Sequence, residues 1–170
     1  MTRKSGLSGF ARSVFRLPTM LYRWHCGWLL GRRFLLLSNR GRRTGKLHHT
    51  VLEVLEYRPI PCEAIVLSAF GPRSDWLLNI QARAPIEVTI ASQHFIAAYR
   101  FLGEDEAAAA LLGYQYRNRL IAPIVRFGLS HFAGWHYDGS AAHARRLVNQ
   151  LPVVGFRPAS DRLKQSPAEP

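Results

Sequence analysis

The spacing of apolar positions changes several times along this chain, and each change marks an element. "RFLLLSN" is an uninterrupted apolar run of strand length that ends in the glycine- and arginine-rich turn "RGRRTGK". "HTVLEVLEYR" alternates imperfectly, with Val51 and Leu55 on one face and Glu53 and Glu56 at exposed or end positions. "PIP" interrupts the chain, and "CEAIVLSAFG" reads as a further buried strand. "SDWLLNIQARAP" opens with Ser74 or Asp75 as an N-cap and predicts a short helix to about Arg83. "IEVTIASQHFIAAYRFL" predicts two strands, near 86–91 and 94–102. "GEDEAAAALLGYQYRNRL" is the clearest helix, with acids in its first turn, an alanine run and basic residues at its end. "IAPIVRFGLSHFAGWHYDGS" is apolar without a clean period, "AAHARRLVNQ" predicts a short helix and "LPVVGFRP" a last strand.

This order predicts an α+β fold whose antiparallel sheet is large enough to curl into a barrel, with helices on its flanks. Ahead of it, "FARSVFRLPTMLYRWHCGWLLGRR" places Arg12, Arg16 and Arg23 within roughly 40° of one another on a helical wheel. Phe10, Val14, Phe15, Leu21, Trp24 and Trp28 spread over the rest, and Pro18 divides the segment into two short helices. Such a basic amphipathic segment either lies on an anionic membrane surface or packs on its own domain. The domain organisation expected is a basic N-terminal segment over residues 1–30, one main domain over 31–158 and a polar tail over 159–170.

Charge sharpens this picture. The net charge is +12, yet residues 1–50 hold eleven Lys or Arg and no acid, while the remaining twelve face all eleven acids. A charge so concentrated speaks of a ligand or partner rather than of fold. Two cysteines, Cys26 and Cys62, form no CxxC pair and fit a reducing cytosol. No secretory signal is evident, and no apolar run reaches the ~18 residues a membrane span needs. The expectation is a cytoplasmic protein, with residues 10–30 as a peripheral contact at the inner membrane face.

The candidate chemistry centres on "GRRTG". Glycines let backbone amides face inward, and such amide nests, with arginine side chains, hold phosphate or carboxylate. Arg42, Arg43 and Lys46 would supply charge and Thr44 a hydroxyl; a solvated hairpin turn fits the same residues. The P-loop spacing and the dinucleotide fingerprint are both absent. His48 and His49 begin a strand, so they point to opposite faces and do not share a metal; no other histidine shows zinc spacing, and no metal is expected. There is no GxSxG motif, so hydrolase chemistry has little support. Tyr114 and Tyr116, near the end of the alanine helix, lie on different helical faces, so one suits the core and the other a pocket wall.

Taken in order, "LLLSNRGRRTGKLHHTVL", "AIVLSAFG" and "SDWLLNIQARAP" resemble the deazaflavin-dependent nitroreductase family, small oxidoreductases related to the FMN-binding split barrels. The match spans roughly residues 31–90. It implies a split β-barrel, antiparallel and FMN-binding-like, often a homodimer, to which the chain's own pattern adds flanking helices and an N-terminal helix. It also implies a site for coenzyme F420: the turn Gly41, Arg42, Arg43, Thr44 and Gly45, with Lys46 and His48, takes the anionic tail. Ser68 and Ala69 run under the ring system, Trp76 with Asn79 behind it borders ring and pocket, and Tyr114 or Tyr116 closes the pocket. Two positions differ: the family often has Arg where this chain has His48 and Lys where it has Phe70, so Lys46 and Arg73 would substitute. The segment 120–140 is longer than the family's connection.

The expected activity is hydride transfer from a reduced deazaflavin to a small hydrophobic, electron-poor substrate such as a nitro compound, quinone or enone. An FMN-dependent reductase on the same fold is the alternative cofactor reading, and a non-catalytic flavin, haem or lipid carrier is the alternative class. Nucleic acid is not the expected partner, because the basic first third has no recognised binding motif.

Overall fold

A computed structural model describes residues 31–159; the predicted N-terminal helices and nearly all of the polar tail lie outside the described residues. Six strands carry the fold: β1 (Phe34–Arg40), β2 (Leu47–Arg58), β3 (Glu63–Leu67), β4 (Glu87–Ile90), β5 (Gln93–Phe101) and β6 (Val153–Pro158). They form a closed barrel in the order β1-β2-β3-β6-β5-β4, and every pairing is antiparallel. Among the described residues four α-helices surround it: α1 (Asp75–Ala82), α2 (Glu104–Arg117), α3 (Ala122–Ala133) and α4 (Ala141–Gln150), with a 3-10 turn at Arg119–Ile121 joining α2 to α3. The α+β reading is thereby met, with the sheet closed so that no edge is left open.

Two apolar clusters explain which strands alternate and which do not. The barrel lumen is filled by Leu35, Leu37, Val54, Ala64, Val66, Val88, Ala97, Val154 and Phe156, with Trp76 and Leu77 of α1 at its rim. A second cluster lies outside the barrel, where α2, α3 and α4 pack on Leu55, Ile65 and Val153. β3 and β6 are therefore buried on both faces and read as continuous apolar runs. In β2 the pairing with β3 shifts at a bulge between Val54 and Glu56. Val54 turns into the lumen and Leu55 outward beneath the helices, which is why the alternation in that strand reads imperfectly.

The segment that shows no clean period in the sequence is a helix. In α3 buried Leu129 and Ala133 belong to the helical cluster, with Val125 and Phe132 packed against it, and Ala122 is buried at the helix start. Pro123 occupies the first turn, where its missing N–H costs nothing. Exposed Ile124 and Phe127 sit on the other side of the helix, so apolar residues line both faces and the periodic contrast is lost. This helix also accounts for Phe70: its ring meets Phe132 edge-on, centroids 5.1 Å apart. An apolar side chain at 70 and a helix at 122–133 thus belong together.

Candidate anion-binding site on the β1–β2 turn

Residues Gly41–Lys46 connect β1 to β2 as a tight, internally bonded turn. The Gly41 amide donates to the Lys46 carbonyl at 2.8 Å, and the Gly45 amide to the Gly41 carbonyl at 2.8 Å. Gly45 has a φ of 69°, a left-handed conformation that a side chain would strain. At Gly41 an added Cβ would stand 2.7 Å from His48 Nε2, so the imidazole lies across the turn's first residue. The Lys46 amide donates to Thr44 Oγ1 at 3.3 Å, and Arg40 donates to the Gly45 carbonyl at 3.1 Å.

Helix α1 clips this turn to the barrel. Buried Asn79 accepts through Oδ1 from both the Arg42 amide and the Arg42 guanidinium, each at 3.0 Å. The same guanidinium pairs with Asp75 at 3.0 Å. Asn39, the penultimate residue of β1, donates to the Trp76 carbonyl at 3.3 Å, a second tie to the same helix. Removing the Asn79 acceptor strands a backbone N–H and a guanidinium. Asn79→Ala is expected to cost about 1–2 kcal/mol of stability in urea denaturation and to loosen the turn without disturbing the barrel.

This geometry corrects one expectation. The amides of Gly41, Arg42, Gly45 and Lys46 are all consumed inside the protein, which leaves only those of Arg43 and Thr44 to face a ligand. The turn is not an amide nest, and Arg42 is committed to α1. Its free positive charge lies in side chains. Arg43 and Lys46 are exposed, and the Arg83 guanidinium, just past the end of α1, reaches to 4.0 Å from where a Cβ on Gly45 would stand. None of these three cations meets an acid among the described residues. The one carboxylate at the turn, Asp75, is already paired with Arg42. Arg73 is exposed before α1, with no contact tying it to the turn.

Ser68 is fully buried; its hydroxyl donates to the Gly71 carbonyl at 2.8 Å and shares a 2.7 Å bond with Ser74. Ala69 is half-buried beside it. Trp76 is only 7% exposed and packs on Phe156, ring centroids 6.3 Å apart, as part of the lumen cluster. Tyr114 lines a cleft of about 460 Å³ with Arg32, Arg33, Tyr57 and Arg117. Its hydroxyl donates to Glu53 at 2.6 Å, and burial followed by that carboxylate pushes the phenol pKa up, keeping it protonated. Tyr116 is 74% exposed on the opposite side of α2.

The turn, His48, Asn79 and α1 therefore come together, while Tyr114 does not join them. The cleft opens at the Arg33 end of β1 and the turn closes the Arg40 end, roughly 20 Å away at ~3.3 Å per residue. Arg83 and Asn39 escaped the sequence reading, because nothing local in "QARAP" or "LSNRG" indicates that α1 folds back across the turn. Among the described residues no three His, Cys, Asp or Glu gather to hold a metal, and no helix is long and apolar enough to cross a membrane.

No family model and no curated protein matches the chain. Among solved structures, an F420-H2-dependent reductase is similar at 14% identity with a TM-score of 0.48, covering 75% of this chain and 96% of that one. A chain described as a domain-swapped dimer is similar at 14% identity and a TM-score of 0.47, covering 82% of this chain and 99% of its own. A conserved hypothetical protein of Mycobacterium tuberculosis is similar at 14% identity and a TM-score of 0.44, covering 79% of this chain and 77% of its own.

Proposed function

We propose that this chain is an oxidoreductase that seats the anionic tail of a reduced deazaflavin of the F420 type on the Gly41–Lys46 turn and passes its hydride to a small, hydrophobic, electron-poor substrate. The carrying observation is the trio Arg43, Lys46 and Arg83, three cations without an acid partner among the described residues, the first two on a turn that Asn79 fixes and the third beside it at the end of α1. Unpaired positive charge on a rigid support suits phosphate and carboxylate groups, and these residues fit such a tail. The motif order from Leu35 to Pro85 resembles the deazaflavin-dependent nitroreductases and points to the same ligand.

When bound, the reduced deazaflavin supplies the hydride. The chain's own part is position and shape. Arg43, Lys46 and Arg83 hold the tail, with Thr44 adding a hydroxyl. The lumen beneath Ser68 and Trp76 is filled with side chains, so a ring system belongs on the outer surface of the barrel. The same filling disfavours a lipid carrier of the kind that encloses its cargo in the barrel.

A fluorescence titration of the full chain with coenzyme F420, and in parallel with FMN, tests this reading. Saturable micromolar or tighter binding of the deazaflavin, weakening as salt rises, is the expected result. Preference for FMN would keep the barrel and change the hydride donor. Binding of neither would overturn the cofactor assignment. Light scattering on the same sample reads whether the chain is the homodimer this reading includes.

A further inference from the structure

The 3-10 turn and α3 present an apolar stripe that nothing in the fold covers. Leu120 is 93% exposed, Ile124 72% and Phe127 77%. At 100° per residue Ile124 and Phe127, with exposed His131, fall within about 60° of arc on α3, and Leu120 precedes them in the 3-10 turn. The buried stripe of Ala122, Val125, Leu129 and Ala133 lies on the opposite side of the same helix. Large side chains left this open at one-turn spacing mark a contact surface rather than scattered surface apolarity.

Charge identifies what they contact. From Ala107 to Tyr137 the sequence has no Asp or Glu, while Arg117, Arg119 and Arg126 are all present and exposed. Arg126 lies about 100° from the edge of the stripe on the wheel, its guanidinium over Gly139, and Arg119 stands ahead of α3 in the 3-10 turn. We propose that this face docks on an anionic lipid bilayer, with Leu120, Ile124 and Phe127 entering the headgroup–acyl boundary and Arg119 and Arg126 meeting lipid phosphates. A helix lying in the plane of the interface, apolar below and arginine-rich at its side, matches that chemistry. The long apolar stems of the arginines let their guanidinium groups stay at headgroup level.

Other occupants fit the charge less well. A second copy related by a two-fold axis would set Arg119 and Arg126 against the same arginines, where the acid lining the adjoining cleft, Asp138, already lies 2.9 Å from His143 Nδ1. Residues 1–30 carry five Lys or Arg and no acid, so they offer these arginines no counter-charge either.

Co-sedimentation of the full chain with phosphatidylglycerol–phosphatidylcholine vesicles, against pure phosphatidylcholine vesicles, tests the proposal. The wild-type chain is expected to bind the anionic vesicles. The triple variant Leu120→Ser, Ile124→Ser, Phe127→Ser is expected to partition at least about tenfold less, with an unchanged melting midpoint because all three side chains are exposed. Ile124→Glu alone provides the same reading should the triple variant fail to fold. Arg119→Gln is expected to weaken binding to anionic vesicles severalfold while leaving pure phosphatidylcholine unaffected. Failure of the wild-type chain to sediment would overturn the assignment. So would unchanged partitioning of the folded triple variant, which would move any binding to residues 10–30. A fall from dimer to monomer in the triple variant with unaltered partitioning would assign the face to a second copy instead.

Discussion

Replacing Glu63 by alanine is expected to lower the unfolding free energy by about 3 kcal/mol, the low end for breaking a buried ion pair. The Glu63 side chain is 3% exposed and receives Arg100 through two parallel bonds of 2.6 and 2.8 Å, with Arg58 at 3.4 Å. Both arginines continue to Glu106, which takes Arg100 at 2.7 Å and lies against Arg58. One network thus joins β2, β3, β5 and the first turn of α2. Removing Glu63 leaves two guanidinium groups about one-third exposed and still facing Glu106, which is why the low end of the range applies. Glu63→Gln keeps the volume and some of the bonding, so it should cost roughly half as much. The network also explains a residue in β6: a Cβ on Gly155 would stand 2.7 Å from Glu63 Oε1. Because Arg100 locks that carboxylate, Gly155→Ala should destabilise, and less than additively when combined with Glu63→Ala.

The same network sets an acid limit on stability. Arg100 first, and Arg58 second, hold the Glu106 carboxyl down to about 2, and Arg100 holds Glu63 below the usual carboxylate range. The folded chain therefore keeps both groups ionised at pH values where the unfolded chain has begun to take up protons. Their contribution is complete above the unfolded pKa of roughly 4.3 and is lost as pH falls toward 2. Denaturation midpoints measured from pH 6 downward should fall steeply across that window in the wild-type chain. They should fall less in Glu63→Ala. Parallel curves would show that other carboxylates carry the acid sensitivity.

Which parts of this were readable from sequence follows from physical range. β1, the turn, β2 and α1 announce themselves through punctuation by glycine and proline and through an N-terminal Ser-Asp pair, all local signals. α3 hides because Ile124 and Phe127 make its solvent side as apolar as its core side, so no period survives. Glu53 and Glu56 fit no simple alternation because the bulge at Val54/Glu56 changes the phase of β2 between them. At the site, the turn's residues are legible and their roles are not. Arg42 reads as a ligand cation, but Asn79, 37 positions away, takes both its amide and its guanidinium. Arg83 reads as a helix end, yet it stands beside Gly45. Tertiary contacts at such separation leave no periodic trace. Trp76 likewise announces an aromatic near the site without saying that Phe156 receives it inside the core.

That redistribution of roles decides which substitutions test the site. Arg43→Gln, Lys46→Gln and Arg83→Gln together are expected to raise the Kd for coenzyme F420 about 100-fold, roughly 2.7 kcal/mol. Each charge-assisted bond to the tail is taken at about 1 kcal/mol, below the 1.5–3 typical of charged groups, because all three side chains are exposed and screened. Folding should be untouched, since none of the three has an acid partner among the described residues; equal urea midpoints check this. Arg42→Gln is the informative contrast. It removes the guanidinium bonds to Asp75 and Asn79, so stability should fall by about 1 kcal/mol and affinity should fall only as far as the turn loosens. Salt separates the two effects further. Wild-type affinity should weaken steadily as ionic strength rises, and the triple variant should respond far less, because the charges that salt screens are gone. If instead the triple variant binds as tightly as the wild type while Arg42→Gln does not, the tail lies against Arg42 rather than on the outer side of the turn. Equal affinity in all three chains would remove the anionic tail from this turn altogether.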